Sequence, residues 1–259
     1  MPTPIETFVD RLVAAARGDE RIAGVTLGGS AVTGQTDEFS DVDAVIVCAE
    51  DRHGELLADA QAFASALGPL LTAFTGDHVG EPRLLICLYG PPLLHVDLKF
   101  VTPADLADRV EDGIVAWERA GAVGLATRDS EAAWPAPDPQ WIEDRFWTWV
   151  HYAATKIGRG ELFECLDMLA FVRGTVFGPL LADRAGQRPQ GIRRVERYAP
   201  EAVPELAATL GAHDTRGCID AVLAVVALYR RLRDPAVQRQ AGAEAASVAY
   251  VEALIPTGP

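Results

Sequence analysis

The sequence predicts an α+β fold in two parts: a mixed-sheet domain over residues 1–135, then an all-α helical bundle domain over 136–259. Three observations carry that expectation. Apolar runs of strand length alternate with helix-period segments as far as residue 101, helical periodicity alone follows residue 140, and a proline-rich stretch lies between.

Ile5, Phe8, Val9, Leu12 and Val13 recur at helical spacing, so the chain opens with an amphipathic helix. Ile22–Leu27 is a short apolar run ending at Gly28-Gly29, a strand entering a tight turn. A second strand spans residues 41–48, acidic at its start and apolar afterwards. Residues 53–67 place Leu56, Leu57, Ala60, Phe63 and Leu67 on one helical face. Strands at 84–89 and 93–101 flank Gly90-Pro91-Pro92, a predicted hairpin turn. Residues 130–139 hold three prolines with Glu131 and Asp138 and read as an interdomain linker. Beyond them helices are predicted at 140–158, 161–182, 201–210, 214–233 and 236–254. The first carries Trp141, Phe146, Trp147, Trp149 and Tyr152, an aromatic store read as packing before ligand cage.

With 49% apolar and 23% charged residues, the chain has the composition of a globular protein able to bury a core. Its net charge of -14 disfavours a nucleic-acid polymer, which is gripped through dense Lys and Arg contacts to phosphates. The same charge favours a cationic partner, or serves solubility alone. Residues 1–6 carry no secretory pattern and no apolar run reads as a membrane span, so no membrane partner and a cytoplasmic location are expected. Cys48, Cys87, Cys165 and Cys218 are scattered and form no CxxC pair, as in a reducing compartment.

Asp41 and Asp43 stand at i and i+2 of a strand, so their carboxylates converge on one face. Like charges this close repel unless a cation joins them, and magnesium prefers such hard oxygen ligands. A two-metal centre would want a third carboxylate from a neighbouring strand. Asp97 would supply one if its strand neighbours that of Asp41 and Asp43 in one sheet: alternation in residues 95–100 sets Val96, Leu98 and Phe100 on one face and His95, Asp97 and Lys99 on the other. Ahead of the aspartates, Gly28-Gly29 lets the backbone approach a phosphate closely, and Ser30 adds a hydroxyl donor. Each piece alone is weak. Their order along the chain is far more specific. No P-loop pattern and no HExxH spacing occur, and the five histidines form no ligand set.

Residues 27–47, running from Leu27 through Gly28-Gly29-Ser30 and Gly34 to Ser40-Asp41-Val42-Asp43 and on to Val47, resemble the GS…(S)DxD signature of the polymerase-β-like nucleotidyltransferase superfamily. The signature covers little more than the first hundred residues. The helical half matches by layout only, and that layout resembles nucleotidyltransferases acting on aminoglycoside and lincosamide antibiotics. The resemblance implies transfer of a nucleotide, AMP from ATP as the expected case among the NTPs, to a hydroxyl of a small molecule, with release of pyrophosphate. A cationic acceptor would suit the acidic chain. The resemblance also implies two Mg²⁺ ions held by Asp41, Asp43 and Asp97, with Gly29 and Ser30 at the phosphates. A lysine from the first helix of the second domain often touches the triphosphate in relatives, which nominates Lys156, one of only two lysines. Relatives use a carboxylate base, and Asp97, Glu143, Glu164 and Asp167 each qualify. Glu164 and Asp167 share a helix face that reads equally as a solvated one. Lys99 is expected either to pair with Asp97 or to touch a ligand. Arg173 is expected to be a buried salt-bridge partner or, less simply, a phosphate contact, and the basic cluster 191–197 a helix-flanking surface. Some antibiotic-modifying members are dimers, so a homodimer is compatible. Two other readings stay open: a protein-adenylylating regulator of toxin–antitoxin type, and a catalytically silent binder of nucleotide or ligand.

Overall fold

The computed structural model describes residues 2–34 and 36–255; Gln35, inside the signature, lies outside them. The chain divides into two compact units, Met1–Ala133 and Trp134–Pro259.

The first unit begins with α1 (Pro4–Gly18). Thr3 accepts a hydrogen bond from the Glu6 N–H while Glu6 accepts from the Thr3 N–H, and Pro4 occupies the first turn, where no N–H is needed. There follow β1 (Ile22–Leu27), α2 (Ser30–Thr33), β2 (Val42–Cys48), α3 (His53–Ala58), α4 (Ala60–Ala66), β3 (Leu70–Gly76), β4 (Glu81–Tyr89), β5 (Leu94–Val101), β6 (Ile114–Glu118) and α5 (Ala122–Thr127). The strands form one sheet in the order β3-β4-β5-β2-β1-β6. Only β2 and β5 pair in parallel; every other neighbouring pair is antiparallel. The sheet is therefore mixed, as predicted. Tyr89 pairs with Leu94, so Gly90-Pro91-Pro92 does turn a hairpin. Val42, Ala44 and Ile46 of β2 and Val96, Leu98 and Phe100 of β5 are buried in one core with Phe8 and Leu12 of α1 and Leu56 of α3. By strand alternation Asp43 and Asp97 then belong to the opposite face. The helix expected over 53–67 is two, divided at Asp59, and the edge strands β3 and β6 were not anticipated.

The second unit is helical: α6 (Pro139–Gly158), α7 (Leu162–Val172), a π segment (Arg173–Phe177), α8 (Gly178–Arg184), α9 (Val195–Tyr198), α10 (Val203–Ala208), α11 (Thr215–Leu232) and α12 (Ala241–Glu252). Asp138 caps α6 by accepting from the Gln140 and Trp141 N–H groups, and Asp214 caps α11 at Gly217. The single helix predicted at 161–182 is interrupted by the π segment. Gly178, at its end, packs its bare Cα against the Gly191 carbonyl, an approach any side chain would block. By length and composition, residues 162–184 could cross a membrane, a candidate the sequence reading overlooked. In this unit half of that run is buried, with Cys165, Leu169, Val172, Val176 and Phe177 in the core.

At the centre of the second unit lie Phe146, Trp147 and Tyr229. The Phe146 and Tyr229 rings stack at 3.8 Å between centroids, and Trp147 meets Phe146 edge-on at 5.0 Å. Glu143, proposed from sequence as a possible base, is 0% exposed among them. Its carboxylate accepts from Tyr229 Oη (2.6 Å), Trp147 Nε1 (3.1 Å) and the Gln240 N–H (2.9 Å), with Arg233 at 3.6 Å. Burial alone would raise its pKa; these bonds, with the Arg233 charge, hold it below the usual range. A carboxylate so enclosed cannot reach a substrate. Glu143 is a structural group.

Candidate active site

The site in the first unit is set by how β1 and β2 meet. Leu27 pairs with Ala44, and the ladder continues one step as the Gly28 N–H donates to the Asp43 carbonyl at 2.8 Å. The chain then reverses through Gly29, at φ +58° and ψ −129°, into the short helix that starts at Ser30. A Cβ at Gly29 would collide with Asp43 Oδ2, so glycine is demanded both by the torsion and by the carboxylate lying against it. Gly29→Ala should accordingly cost about 1–3 kcal/mol of stability, read by thermal unfolding, and displace Asp43. An alanine variant with unchanged melting and activity would contradict this packing.

Asp41 directly precedes β2, and both it and Asp43 are half-buried, alternating with buried Val42 and Ala44. The condition placed on Asp97 is met. β5 lies beside β2, and Asp43 and Asp97 are cross-strand partners in the parallel register. Burial pushes the Asp97 pKa up; His95, whose Nε2 lies 3.0 Å from Asp97 Oδ1, opposes that rise, and the Asp41 charge adds to it. An open pocket beside the turn is lined by Gly28, Ser30, Asp41 and Asp43 with Ile5 and Val9 of α1.

Among the described residues, no three His, Cys, Asp or Glu side chains already converge as a metal-binding group. Asp97 is engaged by His95, and Asp43 lies against Gly29. The donor set nevertheless suits a hard divalent cation: oxygen ligands from adjacent strands, with a repulsion between Asp41 and Asp97 that a cation would relieve.

Lys99 pairs with Glu81 rather than with Asp97. Its Nζ lies 2.7 Å from Glu81 Oε2, because the β4–β5 register brings the start of β4 alongside it. Lys156 and Glu164 belong to the second unit, where they form a cluster of their own. Lys156 Nζ contacts Glu161 at 2.6 Å and Glu164 at 3.8 Å, lies over the Tyr152 ring, and Tyr152 Oη donates to Glu164 at 2.9 Å. Glu164 and Asp167 are exposed. Arg173 turns to the Thr209 carbonyl at 2.8 Å rather than to a carboxylate partner of the kind expected.

One residue at the turn was missed. Glu111, in the loop before β6, accepts a hydrogen bond from the Gly29 N–H at 3.1 Å. A lone acid in a loop gives no signal of its own. Only the pairing of β6 with β1, with Ile114 opposite Leu27, brings it here.

Residues 9–74 match the nucleotidyltransferase domain family, a stretch that includes the glycine turn, Asp41 and Asp43 but stops short of Asp97. None of the curated proteins matches the chain. Among solved structures, an aminoglycoside 6-adenyltransferase from Bacillus subtilis is similar at 16% identity, covering 98% of this chain and 96% of that one, with a TM-score of 0.34. The matched stretch and the strand geometry coincide on one turn and one sheet face: within the first unit, residues 9–74 are similar to a nucleotidyltransferase domain.

Proposed function

We propose that the chain moves a nucleotide, AMP from ATP, to a hydroxyl of a small cationic molecule of the aminoglycoside class in a magnesium-dependent reaction. The observation that carries this reading is the placement of Asp97 beside Asp43 on the strand that neighbours the matched signature.

In the proposed reaction the acceptor oxygen attacks the α-phosphorus, the bond to the β-phosphate oxygen breaks, and pyrophosphate leaves. Asp41, Asp43 and Asp97 would hold the divalent ions, which supply charge neutralisation at the α-phosphate and the leaving group. The glycine turn and Ser30 place the phosphates, and Lys156 is proposed to add a positive charge to them. Positioning and charge do most of the work in such transfers. The proton from the acceptor is assigned to Asp97 or Glu164, neither of which is enclosed as Glu143 is.

For the acceptor, support comes from charge and from the surface of the second unit. The chain carries -14 overall, which draws a polycation. Trp141, Tyr152 and Phe171 are partly exposed, Trp149 packs between Trp141 and Phe171 at 5.6 and 5.2 Å, and Glu164 is exposed beside them. Flat apolar faces with carboxylates nearby suit an aminated sugar. A cytoplasmic setting is part of the same proposal, consistent with four buried free cysteines.

The test is pyrophosphate release with Mg²⁺ and each NTP in turn, across a panel of aminoglycosides and lincosamides. Turnover with ATP and an aminoglycoside is the expected result. Turnover only with a protein acceptor, or none with any acceptor, would overturn it in favour of a regulatory or a silent relative.

A further inference from the structure

Glu111 stands where the proposed reading puts substrate. Its Oε1 accepts from the Gly29 N–H, in the turn that is read as the phosphate cradle, and lies close to Gly28 as well. Asp43 lies against the same turn.

The contact is built into the fold. Three residues after Glu111, Ile114 pairs with Leu27, the residue immediately before the turn. Gly113 packs so tightly on β1 that an added Cβ would stand 2.9 Å from the Thr26 side chain. On the other side, Arg109 reaches Ser130 Oγ at 2.8 Å and Asp112 at 2.5 Å, so the loop backbone is tethered at both ends.

An N–H donates one strong bond, and a carboxylate and a phosphate oxygen compete for it directly. A triphosphate approaching this turn meets Glu111 both as a rival for the donor and as a like charge at close range. We propose that Glu111 is an internal competitor for the triphosphate: it occupies the Gly29 N–H in the empty enzyme, must be displaced on binding, and thereby sets nucleotide affinity. This rests on the nucleotide-site reading above. The opposite role, a strut that shapes the turn for substrate, predicts the opposite sign for its removal.

The experiment compares wild type with Glu111→Gln and Glu111→Ala by isothermal titration calorimetry with each NTP and Mg²⁺, with inorganic tripolyphosphate, and with adenosine. Both variants should bind triphosphates about three- to tenfold more tightly, on the scale of one charge-assisted hydrogen bond lost from the free state. Tripolyphosphate should gain likewise and adenosine should not change, because the rivalry concerns phosphate alone. Equal melting temperatures would establish that the variants are folded. Unchanged or weaker triphosphate binding by folded variants would overturn the inference and leave the nucleotide site standing. Absence of triphosphate binding by wild type and variants alike would remove the site itself, and this inference with it.

Discussion

Asp43→Asn should abolish nucleotidyl transfer, with a loss of about 10³-fold or more, while leaving the first unit folded. The substitution keeps the shape of the side chain that lies against Gly29, and the Asp43 carbonyl that receives the Gly28 N–H belongs to the backbone, which does not change. What is lost is one negative oxygen at the centre of the face shared with Asp41 and Asp97. An amide is a poor ligand for a hard divalent ion, and its loss leaves the reacting phosphate uncompensated. Two measurements check this. Pyrophosphate release should vanish, and the rise in melting temperature expected of wild type with Mg²⁺ and ATP should shrink sharply in the variant. Near-normal turnover by the Asp43→Asn protein would refute the assignment of Asp43 to the metals.

Glu143→Ala should destabilise the second unit by about 3–5 kcal/mol, the usual cost of stripping one partner from a buried charged network. The deletion orphans Tyr229 Oη, Trp147 Nε1 and the Gln240 N–H together, and Arg233 loses one of two carboxylates, the other being Glu244. Glu143→Gln should fall between the two, since one carbonyl oxygen remains while the new amide faces donors. The network also fixes the direction of acid sensitivity. Burial opposes ionisation of Glu244, yet its bonds to Arg233, Arg239 and Arg230 hold its pKa down to about 2 from an ordinary 4.5, and Glu143 is lowered as well. Carboxyls depressed in the folded state contribute stability above their unfolded value that is lost as pH falls through the folded one. Thermal unfolding should therefore move to lower temperature as pH drops from 4.5 towards 2, and Glu143→Ala should flatten that slope. A variant as stable as wild type would contradict the network.

Much of this arrangement could be read from the residues alone. The central strands were legible because burial constrains their composition: β2 runs apolar after its acidic start, β5 alternates buried apolar with polar positions, and Asp97 was found from that alternation. The edges were not. In β3 only Gly76 is fully buried, and in β6 no residue is, so neither carries the apolar rhythm of an inner strand. Glu111 was hidden for the same reason, since its place depends on β6. The role of Glu143 was misjudged because a carboxylate on a helix looks alike in one dimension whether it faces water or Tyr229. The π segment was equally silent: Gly174 and Gly178 weaken an α-helix without announcing which hydrogen bonds will shift.

The parallel pairing of β2 with β5 bears on how the protein is made. Parallel neighbours cannot be joined by a tight turn, and here the connection runs through α3, α4, β3 and β4. Asp97 follows Asp43 by 54 residues. A growing polypeptide that has already extruded Asp41 and Asp43 from the ribosome still lacks their companion, and the hairpin of β4 and β5 must dock before it arrives. If Asp97 serves as proposed, reactivity in this unit is withheld until the sheet is nearly finished, and a chain broken off during synthesis before β5 would carry the signature without the means to use it.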